Sequence, residues 1–467
     1  MENLPIFFVI IMTAIIILDL AKRINLMHPA FLFLYLFIAP FPIFLVTWCK
    51  ENQFFIISLC LFLFYYWARI FFFPIRKKKI PNLRLRIMMG GRIITLFTMM
   101  ETLAIPFVAF FTYPYWSNMF TPILLSTQII FTILFTVTLF LNGMLRMFFT
   151  SRRLSILRRI VMFCTMWIPI VNIPVLLYVC RLVALEYDFA CYKQDLHLTR
   201  ASSDICKTKY PLVMVHGILF RDLKYFNYWG RIPRELMKYG ATIYYGNQEA
   251  IGTIVYNAED IKKTILQVMR ETGCDKVNIL AHSKGGLDSR YAISQLGIAE
   301  HVASLTTMNT PHHGCRFVDR ACQLPDWLYH FIAKIFNSVF RKLGDQNPDF
   351  YTATRQFSTT WSAEFNRTIP NASNVYYQSY GSIMKNAFSD FILTIPYLIV
   401  KAFSGSNDGL VSIDSAKWGE YKGLFQSGGR RGISHGDMID LKRDDYKGFD
   451  VCETYVQIVS QLKEMGF

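Results

Sequence analysis

The chain has 467 residues and is unusually apolar, with 53% hydrophobic and 16% aromatic residues and a mean hydropathy of +0.29. This composition is too apolar for an ordinary soluble enzyme. The formal net charge of +16 would suit a nucleic-acid partner, but no nucleic-acid-binding motif accompanies the basic residues, so we expect no such partner.

Six apolar runs occupy the first 185 residues. Each is long enough to cross roughly 30 Å of hydrocarbon as a helix. They are Leu4–Ala21, Phe31–Cys49, Phe54–Phe73, Ile93–Phe111, Met119–Phe149 and Ile160–Leu185. The first run has no basic start and no clear cleavage site, so we interpret it as a retained anchor rather than a signal peptide. The sequence therefore predicts a polytopic transmembrane domain of about six helices over residues 1–190.

Basic residues of this half gather between the apolar runs. Residues 1–190 contain 17 Lys and Arg but only 6 Asp and Glu. One cluster comprises Arg76, Lys77, Lys78, Lys79, Arg84, Arg86 and Arg92, and another comprises Arg146, Arg152, Arg153, Arg158 and Arg159. The loop Thr112–Asn118 between them has no basic residue. Basic loops stay in the cytoplasm. Six spans would then place both termini on the opposite side, so we expect an extracytoplasmic C-terminal half.

Strand-like and helix-like segments alternate in residues 191–467. The predicted strands are Pro211–Val215, Thr242–Tyr245, Val277–Leu280, Ser304–Met308 and Val375–Tyr380. The predicted helices include Asn257–Thr272 and Gly286–Leu296. This alternation is typical of a mainly parallel sheet with helices on both faces.

The most informative segment of this half is Val277–Gly286. A buried strand pattern ends at His282, Ser283 and Lys284, and a helix pattern follows at once. A nucleophile elbow has this strand–serine–helix order and needs small neighbours, which Ala281 and Gly285 supply. An isolated serine in such a place is usually a turn residue, but the context favours Ser283 as a nucleophile.

Other motifs follow in the chain order that a serine hydrolase requires. The strand before His216 and Gly217 is followed by Ile218, whose backbone N–H can donate to an oxyanion together with that of Lys284. A serine needs a base, and the base needs a carboxylate. Asp408 and His435 lie downstream in the expected order. The competing acids are Asp288, Asp414 and Asp437, and the competing bases are His282, His312 and His313.

These motifs resemble the bacterial triacylglycerol lipases of the α/β-hydrolase superfamily. The similar segments are Val215–Ile218, Ala281–Tyr291, Asn309–Gly314, Asn407–Ser412 and Ser434–Asp437. The resemblance covers a little over half the chain. It implies an α/β-hydrolase fold with Ser283 as nucleophile, Asp408 as acid and His435 as base, and with Ile218 and Lys284 at the oxyanion hole. Ala281 departs from the family's glycine pattern.

Related lipases also carry a calcium site with one ligand two residues after the catalytic histidine. Asp437 fits that position, but no second ligand is evident in the sequence. We therefore expect no metal and no cofactor. The cysteines have no metal-binding spacing, although an exported domain could pair Cys191 with Cys206 or Cys315 with Cys322.

An insertion near residues 318–372 has a helical signal of its own. Apolar residues between Leu324 and Phe340 recur at spacings of one, three and four, which predicts a helix with one apolar face. The position suits a lid over an acyl pocket, and a core-packing helix is the alternative. A second apolar stretch, Phe391–Phe403, could line that pocket or enter a bilayer.

Together these features predict a membrane-integrated serine hydrolase that cleaves carboxylic esters of lipids through an acyl-enzyme. Its partners would be a lipid ester substrate and the bilayer. Two alternatives stay open. The same site could transfer the acyl group to an alcohol, or the chain could be a transporter or sensor whose C-terminal half binds lipid without catalysis.

Overall fold

The computed structural model describes residues 4–467 except 22, 25, 27, 29, 33–34, 36–38, 40, 42–52, 76–81, 117–119, 167, 201–202, 220–226 and 444–447. The chain divides into two compact units, Met1–His197 and Leu198–Phe467. This division lies seven residues after the boundary predicted at residue 190. Most of the predicted run Phe31–Cys49 and the basic residues Arg76–Lys79 lie outside the described part.

The described part of the first unit is helical. Its helices are α1 (Leu4–Leu20), α2 (Gln53–Phe72), α3 (Leu83–Trp116), α4 (Pro122–Thr150), α5 (Ile156–Thr165) and α6 (Pro169–Arg200). Four of them, α2, α3, α4 and α6, contain segments long and apolar enough to cross a membrane. The predicted loop Thr112–Asn118 begins later than expected, because α3 continues to Trp116.

The predicted sixth run, Ile160–Leu185, is broken into two helices. α5 ends at Thr165 and α6 begins at Pro169. Proline lacks the backbone N–H that an uninterrupted helix would use and disfavours helical geometry in the residue before it. Residues 160–185 are therefore not one continuous span, contrary to the prediction.

α3 and α4 are antiparallel and in close contact. A Cβ on Gly91 of α3 would lie 2.7 Å from the Gly143 carbonyl oxygen of α4, so only glycine permits this approach. The Thr136 hydroxyl of α4 donates to Glu101 of α3 at 3.4 Å, and Arg84 donates to the Thr150 carbonyl. The start of α3 thus lies beside the end of α4. The described basic residues Arg84, Arg152 and Arg153 consequently share one end of this unit, which we call the basic end.

α6 runs toward that same basic end. The Arg92 side chain of α3 donates to the Cys180 carbonyl of α6 at 3.1 Å. Arg84, two helical turns earlier on α3, pairs with Glu186 at 2.6 Å. The later residue of α6 therefore contacts the earlier residue of α3. α4 and α6 both run toward the basic end. The chain therefore leaves the basic end through α5 and returns to it through α6.

The second unit contains one six-stranded sheet with strand order β2-β1-β3-β4-β5-β6, and every neighbouring pair is parallel. The strands are β1 (Leu212–Val215), β2 (Ile243–Tyr245), β3 (Val277–His282), β4 (Val302–Met308), β5 (Tyr376–Ser382) and β6 (Glu420–Phe425). β1, β3 and β4 are fully buried. Edge strand β6 was not predicted, since its alternating charged residues give little strand signal.

Helices cover both faces of this sheet. They are α7 (Ile232–Lys238), α8 (Ile254–Thr272), α9 (Lys284–Gln295), α10 (Arg316–Ala321), α11 (Asp326–Lys342), α12 (Phe350–Arg355), α13 (Thr359–Thr368), α14 (Thr394–Ser404) and α15 (Val451–Glu464). One apolar core includes residues of α7 and α15, and another includes residues of α8 and α9. The insertion between β4 and β5 consists of α10 to α13. Cys206, Cys315 and Cys322 are free thiols, so neither suggested disulfide is present.

Candidate active site

Ser283 occupies a sharp turn between the buried strand β3 and helix α9. Its backbone has φ 54° and ψ −130°, a conformation that residues with a side chain rarely adopt. The Ser283 N–H donates to the Met308 carbonyl at 2.9 Å, which fixes the turn against the neighbouring strand. Strain of this kind persists only where the surroundings impose it, and it is typical of functional positions.

Two glycines give this turn its space. A Cβ on Gly217 would lie 2.7 Å from the Tyr228 hydroxyl and 2.8 Å from Ser283 Cβ. A Cβ on Gly285 would collide with the His216 carbonyl oxygen. The β1 loop and the start of α9 therefore approach each other at a distance that only glycine allows, which brings Ile218 into the neighbourhood of Ser283.

The predicted oxyanion donors lie on these two segments. Lys284 is the first residue of α9, where backbone N–H groups have no partner within the helix. In the β1 loop, His216 Nδ1 lies 2.7 Å from the Gly217 carbonyl oxygen. The C=O and N–H of a trans peptide point in opposite directions, so the Ile218 N–H points away from the His216 ring. Gln248 donates to the His216 carbonyl at 2.9 Å and steadies this loop.

Asp408 and His435 are in direct contact. His435 Nδ1 lies 2.7 Å from Asp408 Oδ2, and both side chains are buried. The other oxygen of Asp408 accepts from the backbone N–H groups of Leu410 at 2.9 Å and Val411 at 2.7 Å. A carboxylate only accepts hydrogen bonds, so the proton of neutral His435 resides on Nδ1 and Nε2 keeps its lone pair.

His435 also lies beside the elbow. Its ring centroid is 4.4 Å from that of His282, the residue before Ser283. The fold thus brings Ser283, Asp408 and His435 into one region, although Ser283 and His435 are 152 positions apart in the chain (435 − 283 = 152).

The competing acids have other partners. Asp288 pairs with Lys284 at 2.5 Å, Asp414 pairs with Lys417 at 2.7 Å, and Asp437 pairs with Arg431 at 2.6 Å. Among the competing bases, His312 contacts Thr307 at 3.1 Å and His313 contacts the Lys417 carbonyl at 3.2 Å. Of the four acids considered, Asp408 is the one hydrogen-bonded to His435.

The Lys284 side chain lies below the elbow in a buried ion pair. Both Lys284 and Asp288 are 1% exposed, and Asn257 donates to Asp288 at 3.2 Å. Burial lowers the pKa of Lys284 and raises that of Asp288, while their attraction opposes both effects. The ammonium is therefore bound to Asp288, and Lys284 can donate a hydrogen bond to an oxyanion through its backbone N–H.

No role was predicted for Tyr228, and His282 was predicted only as a competing base. The Tyr228 hydroxyl lies 2.7 Å from His282 Nδ1. Burial, and then the neighbouring His435, lower the pKa of His282 well below its ordinary value. His282 is therefore neutral and adds no positive charge beside His435. A tyrosine in a loop 54 positions away leaves no local signal of this contact.

The residues present do not fit the calcium site that the resemblance suggested. Both oxygens of Asp437 accept from Arg431, at 2.6 and 2.9 Å. Calcium takes six to eight oxygen ligands. In the described part of the chain, no three His, Cys, Asp or Glu side chains are grouped so that they could hold a metal ion.

Comparison with known proteins identifies the fold of this unit. The family model of the alpha/beta hydrolase fold matches residues 210–418. Triacylglycerol lipase 2 of Saccharomyces cerevisiae is 27% identical over 270 residues, which cover 53% of this chain and 78% of that protein. A triacylglycerol lipase of Burkholderia plantarii is 32% identical over 186 residues, covering 37% of this chain and 51% of that lipase.

Among solved structures, the mature form of Bacillus licheniformis lipase BlEst2 is 20% identical, with a TM-score of 0.39, and the match covers 54% of this chain and 92% of that one. The parallel sheet, the family match and the lipase relatives lead to one conclusion. The chain is a carboxylic ester hydrolase whose C-terminal unit is a lipase-like α/β-hydrolase domain, preceded by helices long and apolar enough to cross a membrane.

Proposed function

We propose that the protein hydrolyses carboxylic esters of membrane lipids through a Ser283–His435–Asp408 triad. His435 Nε2 removes the Ser283 proton as the hydroxyl oxygen attacks the ester carbonyl. The N–H groups of Ile218 and Lys284 stabilise the oxyanion. His435 then gives the proton to the leaving alcohol, and water releases the fatty acid from the acyl-enzyme.

One observation carries this proposal: the 2.7 Å contact between Asp408 and His435 beside the strained turn at Ser283. A domain that only bound lipid would need neither a serine in this backbone conformation nor a histidine with its tautomer controlled by a carboxylate. This argues against the non-catalytic transporter or sensor.

The test is product analysis on a lipid panel. Purified full-length protein is incubated with diacylglycerol, triacylglycerol and phospholipid bilayers, with and without an added long-chain alcohol. We expect free fatty acid from at least one lipid in both conditions. Transfer of the acyl group to the alcohol in place of fatty acid would identify an acyltransferase. The absence of any product would contradict catalysis.

We further propose that the N-terminal unit is integrated in a bilayer and that the hydrolase domain faces the cytoplasm. Support for integration comes from the four long apolar helices. The extracytoplasmic location predicted above assumed that residues 160–185 leave the basic end as one span, whereas the chain is broken before Pro169 and α6 runs back toward that end. α6 runs toward the end that carries Arg84, Arg152 and Arg153, and basic clusters favour the cytoplasmic side.

This orientation has a direct test in reporter fusions. A reporter enzyme active only in the cytoplasm should be active when fused after Phe467. The same reporter inserted after Phe120, just before α4, should be silent, because the start of α4 lies at the opposite end of the α3–α4 pair. Equal activity at both positions would contradict the orientation, and the reverse pattern would restore the extracytoplasmic location.

Exposed apolar side chains on α11 support a lipid surface as the place of action. Trp327, Phe331, Ile335 and Val339 recur every four residues and are 72%, 59%, 50% and 48% exposed. Tyr329 and Ala333 are buried on the other side of the helix. The apolar residues predicted as one face thus divide into a packed side and a solvent-facing stripe. A helix with such a stripe can lie on lipid.

The stripe is expected to matter for bilayer substrates. The double replacement Phe331→Ser and Ile335→Ser should lower hydrolysis of bilayer lipid several-fold and leave hydrolysis of a short water-soluble ester near wild type. Burying one such side chain stabilises by roughly 1.5–3 kcal/mol. Met237→Ser on α7, where the side chain is 51% exposed, is the matched control. Equal losses on both substrates would mean that the stripe is not a lipid-contacting surface.

A further inference from the structure

Two buried carboxylates flank the loop that carries His435, and each is paired with a cation. Asp437 accepts from Arg431 at 2.6 and 2.9 Å, and Asp390 pairs with Lys442 at 2.7 Å. The two carboxylate side chains are 4% and 2% exposed, whereas Arg431 and Lys442 are 29% and 33% exposed. Each buried negative charge is therefore balanced by a cation that solvent can reach.

Ser434, the residue before His435, connects the two pairs. Its hydroxyl donates to Asp390 Oδ2 at 2.7 Å, and its N–H donates to Asp437 Oδ2 at 2.9 Å. The N–H of His435 then donates to the Asp408 carbonyl at 2.8 Å. The backbone just before the histidine is held by both carboxylates, and the backbone of the histidine is held by the residue that also binds its ring.

Arg431 also anchors the loop to a second segment. Its Nε donates to the Ser389 carbonyl at 2.7 Å, and the Gly432 N–H donates to the Ser389 hydroxyl at 3.0 Å. Ser389 directly precedes Asp390 in the chain. One guanidinium thus joins the turn that carries Asp390 to the loop that carries Asp437 and His435.

We propose that Arg431 and Lys442 are positioning residues for His435. Their two positive charges hold the His435 loop in place of the calcium ion that the resemblance to bacterial lipases implied. Without them, two buried carboxylates would lack their counter-charges and repel each other. The Ser434 contacts would loosen and the imidazole would shift. Misplacement of a base by about 1 Å can cost on the order of 10²-fold in rate. This inference rests on the proposed role of His435.

The experiment uses the purified full-length protein and a short water-soluble ester. Neither a calcium chelator nor added Ca²⁺ should change the rate of the wild type. Arg431→Gln should lower kcat on the order of 10²-fold with little change in KM, since the variant misplaces the base rather than the substrate site. Arg431→Ala should regain activity with millimolar guanidinium ion, which can enter the partly exposed position of the lost side chain.

Arg200→Gln is the matched control. Arg200 makes a two-contact pair with Glu453 at 2.8 and 2.8 Å and has a similar exposure of 24%, but it is bound to α15 and not to the His435 loop. Its kcat should stay near wild type, and guanidinium should have no effect on it. If the Arg431 variants do not fold, Lys442→Met tests the second cation, with a loss of kcat again expected.

Three results would overturn the inference. The first is a wild type that loses activity with the chelator and regains it with Ca²⁺. The second is an unchanged kcat in both Arg431→Gln and Lys442→Met. The third is a loss of activity in Arg431→Ala that guanidinium does not reduce. Ser283→Ala is measured in parallel. An active Ser283→Ala variant would contradict the proposed function. An inactive Ser283→Ala variant together with unaffected Arg431 and Lys442 variants would contradict only the positioning role of the two cations.

Discussion

Replacing Ser283 with alanine is expected to abolish ester hydrolysis, with a loss of roughly 10⁶-fold in kcat. In the proposed mechanism the hydroxyl oxygen forms the acyl-enzyme, and no other group on the elbow can replace it. Labelling by a fluorophosphonate probe should disappear as well, because only an activated serine reacts with such a probe.

Ser294→Ala provides the control for this experiment, since Ser294 lies near the other end of the same helix, α9. It should retain both hydrolysis and labelling. Both variants and the wild type are compared by in-gel fluorescence and by the rate on a short ester. Persistent labelling of Ser283→Ala would show that another residue is the nucleophile.

Asp408→Asn is expected to lower kcat by about 10⁴-fold while the protein stays folded. The backbone N–H groups of Leu410 and Val411 require an acceptor, which the amide oxygen of asparagine still provides. The amide nitrogen would then face His435 Nδ1 and donate to it. The imidazole proton would move to Nε2, and Nε2 could no longer accept the proton of Ser283.

Steady-state rates and thermal melting check this second prediction. Asp414→Asn is the control, because Asp414 is an exposed competitor that pairs with Lys417. Its rate should remain near wild type. If Asp408→Asn also hydrolyses the ester at the wild-type rate, Asp408 is not the acid, and Asp288 or Asp437 must be reconsidered.

The sequence by itself determined those features whose physical cause is local. The apolar runs follow from composition, and the alternation of strands and helices follows from periodicity. The elbow at Ser283 follows from a buried strand that ends in small residues, with Gly285 present because a Cβ there would meet the His216 carbonyl. The order of the motifs at Ser283, Asp408 and His435 is also visible in the sequence.

Only the tertiary structure decided which side chains meet. Asp408 and Asp437 lie at comparable positions in turn-like sequence, but one contacts His435 and the other contacts Arg431. Tyr228 reaches His282 across 54 positions. Such contacts depend on how separate elements pack, and no local periodicity reports them. The stripe on α11 is a similar case, since the pattern predicted an apolar helix but not which apolar residues face solvent.

The direction of α6 shows the same limit in the helical unit. Hydropathy detects an apolar run from Ile160 to Leu185. It does not show whether that run forms one continuous helix or two helices separated by a break. The break before Pro169 is a local effect that proline explains. The direction of α6 toward the basic end has no local cause, because it depends on the contact between Glu186 and Arg84, a partner 102 positions earlier in the chain.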